Sequence, residues 1–289
     1  GKKNLLTRKI NDLVSNDIFG KNNYDLYHLT YYNKCFDTKK PKIITVYDLI
    51  HEKFMNEFDL KNLPKKKVFE NIDHFFCISN NTKNDLMDYY NIDEKKITVT
   101  YLANSIKNYN SLKNNSKKPY FLYVGSRKRY KNFKIVLKSY SKLPEIMKNF
   151  DIICFGGGKF IKEEIEYMNK LSIDLNKVHY KDGSDEVLSS LYTYSEALIY
   201  PSKYEGFGLP ILEAMSLGCP VISSNTSSLP EVYGHAALTF SPESFEDLMQ
   251  CLIKITTNDD LKKKLILKGY RREKEFSWKK CALETSSIY

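Results

Sequence analysis

The stretch from Glu196 to Ser224, "EALIYPSKYEGFGLPILEAMSLGCPVISS", constrains the fold of this chain more than any other. It holds two short apolar runs, EALIY and PVISS. Between them lie a loop with two glycines and the helical pattern PILEAMSL. Pro210 suits the first helical turn and Gly218 suits the end of the helix. Two apolar strands joined through a helix form a βαβ unit, which makes the strands parallel and the crossover right-handed. Parallel strands need cover on both faces, so the rest of the chain must supply more strands and helices.

It does so on both sides. Strands are predicted at 25–30, 42–47, 74–79 and 97–102 in the first half. A further set is predicted at 120–125, 151–155, 177–180, 196–200, 220–224 and 236–240. Helical patterns separate most of them, starting with an opening helix over Leu5–Val14. "NNTKNDLMDYY" reads as a helix behind a good N-cap residue type, and the part after Glu243 reads as mostly helical. The polar stretch Asn104–Pro119 has no period and is the linker candidate. The fold class is therefore α/β with parallel sheets.

The chain has 289 residues, enough for two domains. No apolar run approaches the length of a membrane span, and no signal-peptide core follows Gly1-Lys2-Lys3. The first residue is not Met, which fits a fragment or a tag scar. The six cysteines are dispersed without a CxxC pair and are expected as buried, reduced thiols of a cytoplasmic protein. The five histidines have no HxxxH or HExxH spacing, so no metal site is expected. The net charge of +10 comes almost wholly from scattered lysines, with five arginines in the whole chain. A nucleic-acid binder concentrates its cations on one element, so no nucleic-acid partner is expected. A solvated lysine-rich surface explains the charge, and peripheral attraction to an anionic membrane is the second reading.

Ligands of open parallel sheets bind beyond the carboxyl ends of the strands. Three loops lie there in the second half. In "PSKYEGFGL", Gly206 and Gly208 allow close backbone approach and their amides can face an anion near a helix N-terminus. Glu205 at the loop mouth and Glu213 one turn into the helix can each accept hydrogen bonds from hydroxyls. A nucleotide sugar has hydroxyls at both ends and phosphate between. The spacing equally allows a solvated Glu205 and a Glu213 that only complements the helix dipole. In "YVGSRKRYKNF", Arg127, Arg129 and Lys131 follow a strand, which suits a diphosphate or a solvated basic loop. In "DIICFGGGKF", three glycines around Gly157 join strand to helix. The full GxGxxG spacing is missing, which argues against the competing reading of an NAD-dependent oxidoreductase. All three loops are expected to converge on one crevice.

The stretch from Tyr200 to Val232 closely resembles the donor-binding core of retaining GT-B glycosyltransferases of the glycogen-synthase/mannosyltransferase-like group, family four. The shared pattern is Glu, seven residues, Glu, with Gly-Phe-Gly-Leu-Pro inside it. "YVGSR..YKN", "FGGG", "LSSLY..SEALIYPS" and "FSWKKCALETSSIY" extend the resemblance over the second half. "TVYDLIHEKF", "CISNNTKNDL" and "DEKKITVTYL" carry it more weakly into the first.

The resemblance implies two Rossmann-like domains facing across a cleft. It divides the chain into an acceptor-side domain over 1–108, a donor domain over 109–275 and a final helix over 276–289 that crosses back. It implies transfer of a sugar from a UDP- or GDP-linked donor, with retention, to a glycan or lipid-linked acceptor in surface-polysaccharide synthesis, without a cofactor or required metal. Glu205 is expected to position the transferred sugar. The backbone of Gly206, Phe207, Gly208 and Leu209 is expected to hold sugar and diphosphate. Glu213 is expected to bind the ribose, and Arg127 and Lys131 to neutralise the leaving diphosphate. Two residues depart from the family pattern: Tyr47 stands where a histidine is usual, and Arg127 is offset by one position. The family's opening strand and Gly-rich loop are not found before Leu5, so the N-terminal domain is expected to be incomplete. A module that binds nucleotide sugar without transferring it is the alternative.

Overall fold

The computed structural model describes residues 24–30, 32, 39–55, 65–109 and 118–289. The expected opening helix at Leu5–Val14 and half of the expected linker, residues 110–117, lie outside the described residues. The chain forms two compact units, one of Gly1–Tyr101 with Ala282–Tyr289 and one of Leu102–Cys281. The division thus falls earlier than residue 108. The reason is local bonding. Asn104 Nδ2 donates to Ser216 Oγ at 2.8 Å, Ser189 Oγ to the Lys107 carbonyl at 2.9 Å, and Trp278 Nε1 to Ser105 Oγ at 2.8 Å. These bonds tie residues 104–107 to the second unit.

The first unit has a parallel sheet of β1 (Tyr27–Leu29), β2 (Lys42–Val46), β3 (His74–Cys77) and β4 (Ile97–Val99), in that order. Its short helices are α1 (Ile50–Lys53) and α2 (Lys65–Phe69), followed by the longer α3 (Asn80–Tyr90). Ser79 caps α3 by accepting from the Thr82 amide at 3.1 Å, which satisfies an orphan donor of the first turn. Ile44, Val46, Leu49, Phe75, Cys77 and Leu86 fill the core. Tyr289 at the chain's end lies edge-on to the His28 and Phe76 rings.

The second unit has β5 (Tyr120–Val124), β6 (Asp151–Phe155), β7 (Val178–Lys181), β8 (Ala197–Tyr200), β9 (Val221–Ser224) and β10 (Ala237–Phe240). All pairings are parallel, in the order β10-β9-β8-β5-β6-β7. The helices are α4 (Phe133–Ser141), α5 (Pro144–Asn149), α6 (Lys162–Lys170), α7 (Asp185–Thr193), α8 (Leu209–Ser216), α9 (Leu229–Tyr233), α10 (Phe245–Thr257) and α11 (Asp259–Glu273), and α12 (Trp278–Ser286) begins in this unit and ends in the first, which takes Ala282–Tyr289. The near-continuous apolar runs of β5, β8 and β9 are buried, as strands covered on both faces must be. Phe121, Ile152, Ile199, Phe133, Leu248 and Leu252 form the centre of the core.

Every strand read from the sequence is present, and the α/β class with two parallel sheets is observed. The described cysteines are free thiols, four of them buried. Burial pushes Cys77 and Cys219 up to about 12 and Cys251 up to about 11, so these thiols are unreactive at neutral pH.

Candidate active site

From β5 the chain moves to β6 and β7 on one side, then returns to β8 and continues to β9 and β10 on the other. The neighbours β5 and β8 are therefore the topological switch point, the place where open parallel sheets bind their ligands beyond the strand carboxyl ends. The loop after β5 carries Lys131. The loop after β8 carries Glu205.

These two residues meet. Lys131 Nζ donates to Glu205 Oε1 at 2.7 Å, and Glu205 is only 7% exposed. A carboxylate so buried requires a counter-charge, and Lys131 supplies it. Tyr200, at the end of β8, has its phenol pushed well up, first by burial and then by the charge of Glu205 and its hydrogen bond to it. The Lys131 ammonium lies 5.3 Å from the Tyr130 ring centroid and 5.9 Å from that of Tyr200. The two loops are also joined by backbone: the Lys203 amide donates to the Tyr130 carbonyl at 2.7 Å. Asn132, at a positive φ of 57°, sends Nδ2 to the Pro201 and Pro242 carbonyls at 3.1 and 2.8 Å.

The glycine loop is held from β9. Ser227 Oγ accepts from the Glu205 amide at 3.0 Å, and Ser228 Oγ donates to the carbonyls of Glu205 and Phe207, each at 2.9 Å. Gly206, Phe207 and Gly208 are buried, and Leu209 opens α8 with Pro210 in its first turn. Gly208 has a φ of 120°, which an L side chain rarely adopts, and an added Cβ would meet Leu229 Cδ2 at 2.9 Å. Phe207 stacks edge-on against Phe276 at 5.8 Å.

Glu213 lies one turn into α8 and accepts from Tyr192 Oη on α7 at 2.8 Å. Burial pushes its carboxyl above the usual range, the Tyr192 bond opposes this, and the Asp185 charge adds to it. The spacing reading that made Glu213 only a dipole complement misses this partially buried setting.

Arg127 was expected as a cation for a diphosphate, and its guanidinium has other partners. Nε donates to Glu164 Oε1 at 2.8 Å, Nη1 to the Gly156 carbonyl at 3.0 Å and Nη2 to the Gly158 carbonyl at 2.7 Å. It thereby joins the loops after β5 and β6. Gly157 sits between them at a φ of 72°, and a Cβ there would meet the Gly125 carbonyl oxygen at 2.7 Å. Lys131 and Glu205 are thus brought together, while Arg127 is drawn to the neighbouring glycine turn.

The sequence reading missed Ser227, Ser228, Asn132, Tyr200 and Glu164. The run "NTSSLPE" after β9 was the available signal for the two serines, because a strand next to β8 must end beside the glycine loop.

The family profile described as "Glycosyl transferases group 1" matches residues 104–272. The chain belongs to this family. Among curated relatives, an O-antigen chain mannosyltransferase B of Escherichia coli is 34% identical over 172 residues, covering 59% of this chain and 45% of the relative. The O-antigen chain mannosyltransferase RfbU of Salmonella typhimurium is 30% identical over 215 residues, covering 73% and 59%. The chain thus spans less than two thirds of the length of both. Among solved structures, HepE of Anabaena, crystallised with UDP-glucose, superposes with a TM-score of 0.77 at 13% identity, covering 97% of this chain and 81% of that one. Sucrose-phosphate synthase of Thermosynechococcus elongatus gives 0.76 at 19% identity, covering 94% and 75%. These likenesses establish the shared GT-B fold. The loops after β5 and β8 lie inside the part that the family profile matches.

Proposed function

We propose that this chain is a retaining hexosyltransferase that moves a sugar from a nucleotide-diphosphate donor to a glycan or lipid-linked acceptor in surface-polysaccharide synthesis. The observation that carries the reading is the buried Lys131–Glu205 pair at the switch point, beside the Gly206–Leu209 backbone at the start of α8.

The chemistry follows from charge. Breaking the bond between the sugar's anomeric carbon and the diphosphate leaves negative charge on phosphate oxygens. Lys131 and the amides at the start of α8 are fixed positive poles that stabilise this charge as it develops. Lys131 exchanges its Glu205 partner for the phosphate, which frees Glu205 to accept from the sugar hydroxyls. The acceptor oxygen then bonds to the anomeric carbon on the face the diphosphate leaves, and its hydroxyl proton passes to the departing phosphate oxygen. Glu213 accepts the ribose hydroxyls. In this reading no metal is needed, because side chains and amides supply the positive charge.

Two relatives are mannosyltransferases, so GDP-mannose is the first donor to test. The charge of +10 supports peripheral attraction of a cytoplasmic protein to anionic lipid. No helix among the described residues is long and apolar enough to cross a membrane. A second reading, a module that binds nucleotide sugar without transfer, is favoured by Tyr47 where the family usually has histidine.

The deciding experiment is a screen of UDP- and GDP-sugars by nucleotide release, beside calorimetry with UDP and GDP. Release that disappears in Glu205→Ala supports the transferase. Binding without release supports the module, and neither binding nor release sinks both.

A further inference from the structure

The charge of Arg127 is used inside the protein. Its residue is 7% exposed and its guanidinium lies 4.6 Å over the Phe160 ring. Besides the bonds to Gly156, Gly158 and Glu164 Oε1, Nη2 reaches the Lys159 carbonyl at 3.2 Å and Glu164 Oε2 at 3.3 Å. Glu164 in turn accepts from the Ile161 amide at 2.9 Å and so caps α6. Only a flat fork with several N–H donors fits three carbonyls and a carboxylate in this way. A lysine has the charge without the fork.

This matters for the turn that the fork grips. Gly156, Gly157 and Gly158 all have left-handed backbone, with φ of 77°, 72° and 80°. Three glycines in a row lose much conformational freedom on ordering, so the turn needs an external hold. Arg127 provides it from the carbonyl side. In a trans peptide the C=O and the following N–H point in opposite directions. The amides of Gly157, Lys159 and Phe160 therefore turn away from the guanidinium. No amide from Gly157 to Phe160 has a hydrogen-bond acceptor among the described residues, and residues 157–159 are exposed.

We propose that Arg127 is a positioning residue: with Glu164 it freezes the Gly156–Phe160 turn so that its unpaired amides face the oxygens of a bound nucleoside diphosphate. This rests on the donor-binding reading above and replaces the neutralising role that the family resemblance implied for Arg127. The residue acts by shape through the turn and not by neutralising the leaving group.

Two substitutions separate shape from charge, read by calorimetry with UDP and with GDP and by melting temperature. Arg127→Lys keeps the charge and loses the fork. Glu164→Gln keeps the volume and leaves the Arg127 charge without its carboxylate partner. Positioning predicts that both weaken binding of the nucleotide that the wild type takes, by roughly tenfold, the size of one charged hydrogen bond. In turnover, the donor KM rises with kcat nearly unchanged. Direct neutralisation predicts unchanged binding in Arg127→Lys and tighter binding in Glu164→Gln, and either result overturns the proposal. A lower melting temperature with unchanged affinity also overturns it, by making the pair merely structural. If Arg127→Lys fails to fold, the sign of the Glu164→Gln change decides. A wild type that binds neither nucleotide overturns the donor reading and this inference together. Wild-type binding with unchanged variant affinity overturns this inference alone.

Discussion

At the residue scale, two carboxylates of one motif have different environments. Glu205 is buried against Lys131, so removing either partner strands the other. Lys131→Met should abolish nucleotide release and lower stability by about 2 kcal/mol, because a buried charged acceptor loses its donor. The double variant Lys131→Met/Glu205→Gln should recover much of that stability with no activity, as measured by denaturant melts beside the release assay. Glu213 differs because its carboxyl is raised by burial. A raised acid favours the protonated folded state, so its stabilising contribution is present below the ordinary carboxylate pKa and lost as pH rises through the raised value. Glu213→Gln should therefore be more stable than wild type at pH 7, with the difference shrinking as pH falls toward the ordinary carboxylate pKa. The same variant should bind nucleotide more weakly, since an amide is a poorer acceptor for ribose hydroxyls.

At the element scale, the site depends on how α8 begins. Gly208 gives the chain a φ of 120° just before the helix and leaves room for Leu229. Gly208→Ala combines a disfavoured backbone with a 2.9 Å contact, at a cost of about 1–3 kcal/mol. It should also raise the donor KM, because the amides of Gly206–Leu209 move with the turn. A melt and a donor titration check both effects. A normal KM at reduced stability would separate this turn from the donor. The serines of the β9 loop belong to the same device. They hold the backbone of Glu205 and Phe207 from a strand that is adjacent in space and distant in sequence.

At the scale of the whole molecule, the groups assigned to the donor all lie in the unit of Leu102–Cys281. A nucleoside diphosphate at 100 times its Kd should stabilise that unit by about 2.7 kcal/mol by mass action. Hydrogen exchange should then show added protection around residues 125–132, 156–160 and 205–213. If protection appears in the other unit instead, the donor site has been misplaced.

The sequence alone determined the ten strands of the described residues, the parallel class and the Glu205–Glu213 motif. Period, helix caps and strand-end placement are local properties, written within a dozen residues of each other. The tertiary structure decided what those residues touch. Strand order put Lys131 against Glu205 across 74 positions, sent Arg127 to Glu164 and the glycine turn, and gave Glu213 the Tyr192 hydroxyl. No local pattern encodes such pairs, because the sheet order that makes β5 the neighbour of β8 is set by the packing of the whole unit. The motif therefore specified which groups stand at the strand ends. Which cation serves the carboxylate and which only shapes the turn came from burial and from distances between loops far apart in the chain.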